Sequence, residues 1–297
     1  MKNCIKKLFY FFLCVFASLQ LEINVNAQNK PCKFEEKTLQ FVGKPNEQAK
    51  CLLRPNKIGG NLGEELKILP KPFDKIIGEK VNIEKQPLRK FLKKHKIDEN
   101  QIGGSLDENL VTAILPNGEE IQAIYFIIHD TSYPYLKDEA FPPDFDTNKD
   151  WKGNNLQIWL KNPVAHIFVN RLGDSVTTTF FNKPVEKGFG TKFARDFLKT
   201  DAKGLQIHIE LIQPRRRDAK NSNPKNDLIA PFPGFTNKQY ERLALLYLAA
   251  SVRRGTFLIP AYHSAIDAGI EDAHDDPQNF ELEKFAAELK KMLNALN

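Results

Sequence analysis

Apolar and polar residues follow patterns in the second half of the chain that predict β-strands. Residues 120–128 end in a continuous apolar run, as expected of a strand that is buried on both faces. Residues 164–170 and 175–181 flank a short glycine-containing turn and predict a β-hairpin. Residues 205–212 (LQIHIELI) predict a further strand, in which the polar residues occupy every second position and share one face.

Two longer segments carry the spacing of amphipathic helices. The first covers residues 237–254, where Thr236 and Gln239 form a capping-box pattern and Gly255 follows the C-terminal end. The second covers residues 281–296 (ELEKFAAELKKMLNAL). Strands mixed with two substantial helices predict an α/β fold with a mixed central β-sheet flanked by helices.

The N-terminus has the pattern of a signal peptide. Three lysines precede the apolar run LFYFFLCVFASLQL, and the small residues up to Ala27 fit a signal-peptidase cleavage site. The alternative is an N-terminal membrane anchor, but the run is short for a membrane span, and no other stretch reaches about 18 apolar residues. We therefore predict a signal peptide over residues 1–27 and a periplasmic or secreted mature chain without a stable membrane span.

The mature chain divides near residue 118 by composition. Residues 28–117 are rich in Lys, Pro and Gly and predict a small accessory region, whose role the sequence does not reveal. The motif Ile-Gly-Gly-x-Leu occurs twice there, at 58–62 and 102–106, which fits two similar turns or chance equally well. The basic run at 90–96 predicts a solvated helix face. Residues 118–297 hold the predicted α/β domain.

Charge and cysteine content narrow the classes of partner and compartment. The net charge is +6, and it falls to +4 without residues 1–27, because 40 Lys and Arg then stand against 36 Asp and Glu. This mild basicity suits an anionic wall polymer and is too small to indicate nucleic-acid binding. The mature chain keeps Cys32 and Cys51, which predict one disulfide in an oxidising compartment.

Few residues of this chain can hold a catalytic metal ion. His129 ends the apolar strand near residue 128, His263 follows another short apolar run, and Asp275 and Asp276 precede Pro277. A zinc hydrolase needs three protein ligands and one open position. None of the spacings is a compact metal motif, so each residue taken singly is more often a hydrogen-bonded structural residue.

The order of five short stretches makes the metal interpretation stronger. Residues 121–280 resemble the zinc-dependent N-acetylmuramoyl-L-alanine amidases of type 2, a family that shares its fold with the peptidoglycan recognition proteins. The matching stretches, in chain order, are IIHDTS, VAHIFVNRLGDSV, IHIELI, YHSAID and HDDPQNF. They span nearly all of the second domain, whereas residues 28–117 have no counterpart in the resemblance.

The resemblance implies a role for five residues of this chain. It implies that His129, His263 and Asp276 bind Zn²⁺ and that Glu210 transfers protons during hydrolysis. It also implies that His274 stabilises the oxyanion, although the family commonly has a lysine at this position. Two further departures are Gln278, where a glycine often follows Asp-Pro, and the absence of a recognisable Trp-His pair in residues 182–197. These departures leave the detail of the substrate open.

Several neighbouring polar residues have competing interpretations. His166 matches a position that the family uses structurally, and we expect it to pack in its strand. His208 either orients Glu210 or makes a hydrogen bond within the sheet, and Asp130 either supports a metal ligand or caps a loop. Asp275 replaces Asp276 as the ligand if the turn is shifted by one residue. The arginines at 215–217 are expected to be solvated.

The resemblance implies a secreted zinc amidase that acts on peptidoglycan. Such an enzyme cuts the amide bond between N-acetylmuramic acid and the L-alanine of the stem peptide. A peptidoglycan-binding module without catalysis is the first alternative, since the same fold serves recognition. A zinc hydrolase that cuts another peptide amide is the second. The complete ligand set together with Glu210 favours the enzyme.

Overall fold

A computed structural model of the chain describes residues 30–56, 62–186, 191–198, 200–221 and 227–296. The β-strands, in chain order, are β1 (Phe34–Glu35), β2 (Gln40–Phe41), β3 (Thr112–Ile114), β4 (Glu120–Gln122), β5 (Tyr125–Asp130), β6 (Ile167–Val169), β7 (Ser175–Thr177), β8 (Gln206–Leu211) and β9 (Ile259–Tyr262). The α-helices are α1 (Pro45–Leu52), α2 (Phe73–Ile76), α3 (Lys85–Lys94), α4 (Lys192–Phe197), α5 (Asn237–Arg254), α6 (His263–Ile266) and α7 (Leu282–Leu296). Short 3₁₀ helices occupy Glu99–Gln101, Lys152–Asn154, Leu156–Lys161 and Thr200–Leu205.

The centre of the fold is a mixed five-stranded sheet in the order β7-β6-β8-β5-β9. Strands β6, β8, β5 and β9 are parallel, and β7 pairs antiparallel with β6. The predicted hairpin is therefore confirmed, with shorter strands joined by a turn in which Gly173 has a φ of 84°. Helices pack on this sheet, so the predicted mixed α/β class is also confirmed.

The predicted strand over 120–128 is wrong in one respect, because the structure divides it in two. Strand β4 pairs with β3 in a separate hairpin, whereas β5 enters the central sheet. The chain changes partner between them: the N–H of Ala123 donates to Val111, and the N–H of Ile124 donates to Leu205. A continuous apolar run does not reveal where a segment leaves one sheet and begins to pair with strands of another.

Helix α5 begins and ends where the sequence predicts. The Thr236 side chain accepts from the N–H of Gln239, and Gly255 ends the helix with a φ of 82°. The αL conformation at this position suits glycine, which has no Cβ. Helix α7 lies against α5 and covers its outer side.

The two faces of the sheet are covered by different parts of the chain. Phe126 of β5 packs against Tyr247 of α5, with ring centroids 5.3 Å apart. The neighbouring Tyr125 points to the opposite face, where its ring packs on Phe41 and its hydroxyl donates to Gln48. Alternate residues of a strand share a face, so His129 lies on the same face as Tyr125. Residues from the N-terminal third of the chain therefore cover the face that carries His129.

One hydrophobic core runs through both halves of the described chain. It includes Leu52 and Leu88 from the first half and Phe126, Leu246 and Phe285 from the second. The division into residues 28–117 and 118–297 remains a prediction from composition. The signal peptide and the first Ile-Gly-Gly of the repeated motif lie outside the described residues. Within the described ranges, no helix combines the length and apolar character needed to cross a bilayer.

The predicted disulfide between Cys32 and Cys51 is present. It closes a loop of 19 residues, for which chain entropy gives a stabilisation of about 3 kcal/mol. We expect the double variant Cys32→Ser/Cys51→Ser to lose about this much free energy of unfolding in urea titrations. Wild-type protein in reducing buffer should move to a similar midpoint. Equal stability of the variant and the oxidised wild type would contradict the expectation.

Candidate metal centre

The candidate residues meet at the edge of the sheet where three parallel strands end. His129 is the penultimate residue of β5, and it lies in register with Glu210 on the adjacent strand β8. His263 is the first residue of α6, directly after β9. Parallel strands present their carboxyl ends at one edge, and loops at such edges commonly carry sites. The chain brings Asp276 to this edge on the loop that follows α6.

Three side chains form a compact group that could hold a metal ion. The Nδ1 atoms of His129 and His263 are 2.8 Å apart. The carboxylate of Asp276 lies 3.0 Å from Nδ1 of His263 and 3.6 Å from Nδ1 of His129. All three side chains are buried. Two imidazole nitrogens and one carboxylate oxygen thus converge on one point.

The outer nitrogens of both histidines face other side chains. Nε2 of His129 lies 3.0 Å from Nδ1 of His208, and Nε2 of His263 lies 2.9 Å from the Asp267 carboxylate. Contacts of this kind fix the orientation of a metal-binding imidazole and strengthen it as a ligand. Here they leave both Nδ1 atoms directed at Asp276. His208 therefore contacts His129, a candidate ligand. The sequence left open whether His208 orients Glu210 or makes a hydrogen bond within the sheet.

Asp130 and Arg215 form a buried ion pair behind the group. The Arg215 guanidinium is fully buried, and its Nη2 lies 2.6 Å from Oδ2 of Asp130. The N–H of Asp130 donates to Asp276 at 3.2 Å, and the N–H of Gln278 donates to Asp130 at 3.0 Å. The expectation that Arg215 is solvated is wrong, because it balances this buried carboxylate. The pair fixes the loop that carries Asp276.

Glu210 stands beside the group with an unengaged oxygen. Its Oε1 lies 4.0 Å from Nδ1 of His129, and its buried Oε2 has no hydrogen-bond partner among the residues that the structure describes. Burial, together with the nearby Asp276, raises the pKa of the Glu210 carboxyl well above its usual range. A buried carboxylate oxygen without a hydrogen-bond partner is costly for folding, so its presence calls for another reason.

The two histidines of the group differ in charge. Burial and the neighbouring His263 lower the pKa of His129 to about 4. Burial also acts to lower the pKa of His263, but Asp276 and Asp267 outweigh it and raise that pKa to about 10. Burial acts to raise the pKa of Asp276, but His263 and His129 hold it well below its usual range. Without a metal ion, His263 is thus protonated and positively charged between two carboxylates. A metal ion at this place would replace the proton on its Nδ1.

The structure separates the two aspartates that the sequence offers as ligands. Asp276 faces the histidines, whereas the Asp275 carboxylate lies 3.6 Å from Nη1 of Arg215 and accepts a hydrogen bond from Gln278. His274 is close to the group but does not point into it. Its ring stacks on His263 with centroids 4.1 Å apart, and its Nδ1 lies 3.0 Å from Asp267.

His166 packs within the sheet, as the sequence predicts. Its Nδ1 accepts from the N–H of His208, and its Nε2 lies 3.1 Å from the carbonyl oxygen of Lys183. Burial lowers its pKa to about 3. A neutral, fully buried imidazole with both nitrogens engaged is a structural residue.

Asp267 and Arg215 contribute to the centre, and the sequence analysis assigns neither of them to it. Asp267 comes four residues after His263, a spacing that places both on one side of a helical turn. This spacing of four residues is the sequence signal that could have identified Asp267 as a partner of His263. Arg215 has no comparable local signal, since it lies in a run of three arginines and its partner Asp130 is 85 positions away.

Comparison with known proteins gives no match to this chain, whether with family models, with curated proteins or with solved structures.

The donor set fits a divalent metal ion on chemical grounds. Two imidazole nitrogens and one carboxylate oxygen are three protein ligands, which leave a position open for water. Two carboxylates, those of Glu210 and Asp276, lie at the point of convergence, and those of Asp267 and Asp130 lie behind the ligands. Among the described residues, Arg215 is the arginine that pairs with Asp130. The excess of negative charge favours a cation there.

The contact between Asp267 and His263 makes a prediction about metal affinity. Asp267→Asn keeps the shape of the side chain and removes its charge, so His263 loses the anion that orients it. Loss of such a partner typically weakens metal binding by about 10–100-fold. We expect a decrease in this range when Zn²⁺ affinity is measured by competition with a chromophoric chelator. Asp138→Asn, at an exposed ion pair with Arg217, is the control and should bind like wild type. Equal affinity of both variants would contradict this role of Asp267.

Proposed function

We propose that the chain is a zinc hydrolase that cleaves the amide bond between N-acetylmuramic acid and L-alanine in peptidoglycan. The observation that carries the proposal is the convergence of His129, His263 and Asp276 beside Glu210, whose Oε2 has no hydrogen-bond partner among the described residues. These four residues come from four of the five stretches that resemble the type 2 amidases. Their meeting at one sheet edge supports the resemblance, and with it an amidase-like fold.

Zinc is the metal that we assign to the group. Imidazole nitrogen and carboxylate oxygen are both common zinc ligands, and hydrolytic zinc sites typically have three protein ligands. A bound Zn²⁺ supplies the Lewis acidity that activates water and polarises an amide carbonyl. The protein supplies the remaining functions through Glu210 and His274.

Glu210 is the residue that we assign to proton transfer. Its Oε2 is buried and has no hydrogen-bond partner in the described part of the chain, so this oxygen can accept a proton from the attacking water. The same carboxyl then donates that proton to the leaving amine, which is expelled poorly as an anion. A pKa raised above the usual range makes the carboxylate a stronger base towards the attacking water.

His274 is the residue that we assign to stabilising the oxyanion. Its ring lies on His263 and is 48% exposed, so it borders the centre on the solvent side. Its Nδ1 faces the Asp267 carboxylate and can donate to it, so Nε2 is the nitrogen that donates to the carbonyl oxygen when the ring carries both protons. A hydrogen-bond donor at this place can stabilise the charge that develops on the carbonyl oxygen.

Export to the periplasm or the cell exterior is part of the proposal. Peptidoglycan lies outside the cytoplasm, and the predicted signal peptide over residues 1–27 would deliver the mature chain there. The Cys32–Cys51 disulfide supports an oxidising compartment.

The proposal is tested by digesting purified peptidoglycan with the mature chain and analysing the products by mass spectrometry. We expect free stem peptides that begin with L-alanine. Their release should stop when the metal is removed with a chelator and return when Zn²⁺ is added. Binding to the polymer without release would identify a recognition module. Cleavage only within the peptide would assign the zinc hydrolase to a different amide.

A further inference from the structure

A second group of potential ligands lies on the outer side of His263. It consists of Nε2 of His263, Oδ2 of Asp267 and Nδ1 of His274, all within 4.8 Å of one another. The Asp267 oxygen is 2.9 Å from His263 and 3.0 Å from His274. The group shares one imidazole with the candidate metal centre but uses the opposite nitrogen of that ring.

The surroundings of the His263 Nε2 atom indicate that it can bind a further ligand. The atom is buried and, among the described residues, has no aligned hydrogen-bond partner, although the Asp267 carboxylate lies 2.9 Å from it. Its contact with Asp267 thus has the distance of a hydrogen bond without the alignment. The rings of His263 and His274 are stacked at 25° to each other, so both direct a nitrogen to the same carboxylate.

Asp267 is held firmly enough to act as a ligand. Its Oδ1 accepts from the N–H of Phe193, and its Oδ2 accepts from the N–H of Lys192. Each carboxylate oxygen has two acceptor sites, so these bonds leave capacity for a metal ion. Hydrogen bonds of this kind usually support carboxylate ligands from behind.

The surroundings leave the group open on one side. His263 and Asp267 are buried, whereas His274 is half exposed. An ion can therefore reach the group from solvent and keep water in its remaining positions. Two nitrogens and one carboxylate oxygen again form a donor set that suits zinc and similar divalent transition metal ions.

We propose that His263, Asp267 and His274 form a second, weaker binding site for a divalent transition metal ion such as Zn²⁺. The incoming ion replaces the proton on Nε2 of His263, and that proton leaves to solvent. His263 then bridges two ions through its two nitrogens. The second site is weaker because this proton must be displaced and because the two ions repel each other.

Occupation of the second site has a consequence for catalysis, and this step rests on the proposed function. An ion bound between His263, Asp267 and His274 adds bulk at the mouth of the centre, on the side that is open to solvent. It therefore hinders the approach of the substrate to the first ion. Zinc in excess of one equivalent should therefore inhibit the enzyme that the first equivalent activates.

Metal stoichiometry tests the second site without relying on activity. We would dialyse the metal-free mature protein to equilibrium against increasing Zn²⁺ and measure bound zinc by atomic spectrometry. Wild type should bind a second equivalent at higher free zinc, and His274→Lys should bind only the first. His95→Lys is the matched control, since His95 lies on α3's C-terminal end away from the centre, and it should bind like wild type.

Each outcome of this experiment decides for or against the second site. Saturation of wild type at one equivalent would overturn it, and so would a second equivalent that His274→Lys retains. Two equivalents in wild type with no hydrolysis at any zinc level would keep the second site and refute the proposed function instead. A second equivalent that wild type binds and His274→Lys lacks, together with wild-type hydrolysis that rises and then falls with zinc, would support both.

Discussion

His263→Ala and Asp276→Ala are each expected to abolish tight binding of the first zinc ion, and with it all hydrolysis. Each substitution leaves two of the three ligands that converge in the structure. It also removes one member of a buried charged pair whose atoms are 3.0 Å apart. Zinc content after dialysis, measured together with stem-peptide release, checks the expectation.

Asp276→Ala should also be less stable than wild type when no metal is present. Asp276→Ala leaves His263 protonated beside one carboxylate fewer, so it removes an interaction that stabilises the metal-free fold. Loss of one partner from a buried charged pair commonly costs about 3–5 kcal/mol. His95→Ala is the control for both measurements, because His95 contacts Phe91 away from the centre. Full zinc content in either site variant would show that the ion binds elsewhere.

Glu210→Gln is expected to keep zinc and lose most of the turnover. The amide has the shape of the carboxylate but cannot accept the proton of the attacking water. Loss of a general acid–base residue typically reduces the rate by about 10²–10⁴-fold. The measurement is kcat for amide cleavage, with zinc content determined on the same samples. Turnover near the wild-type value would refute the role of Glu210.

Glu210→Gln should also make the metal-free protein more stable at neutral pH. Burial raises the pKa of Glu210 in the folded state, so folding disfavours the ionised form. Below the pKa of the unfolded state, both states are protonated and the variant gains nothing. As pH rises above that value, the unfolded state ionises first, and the folded wild type becomes progressively less stable relative to it. The advantage of the variant therefore grows with pH until the folded pKa is passed.

Thermal unfolding at a series of pH values measures this effect. A gain of about 1 kcal/mol corresponds to a rise in Tm of about 2–4 °C for a protein near this size. We expect a higher Tm for the variant than for wild type at neutral pH and no difference in strong acid. Glu119→Gln, on an exposed turn, is the control and should show no gain. A lower Tm for Glu210→Gln at neutral pH would mean that the carboxylate is stabilised by contacts in the fold.

The regular elements of the second half were predictable because local signals determine them. The capping box at Thr236 and the glycine at 255 mark both ends of α5. The β6–β7 hairpin follows from its turn. The division of 120–128 between two sheets was not predictable, because it depends on which distant strands supply the hydrogen-bond partners of Ala123 and Ile124.

The candidate site was predictable only in part. The order of the five sequence stretches and their resemblance to the type 2 amidases identified His129, His263 and Asp276 as candidate ligands. The structure brings these three together. The surrounding groups depend on long-range contacts. Arg215 looks solvated in sequence because two further arginines follow it, yet it is buried against Asp130 on the strand that carries His129. Asp267 serves the site through a contact that only the turn after β9 creates.

A zinc titration of activity tests the central claim most directly. The metal-free mature chain would receive zinc in steps up to one equivalent while release of stem peptides from purified peptidoglycan is measured. The account predicts no release without metal and a rate that rises in proportion to zinc until the first equivalent is bound. Full activity in the metal-free protein, or no activity at any zinc level, would contradict it.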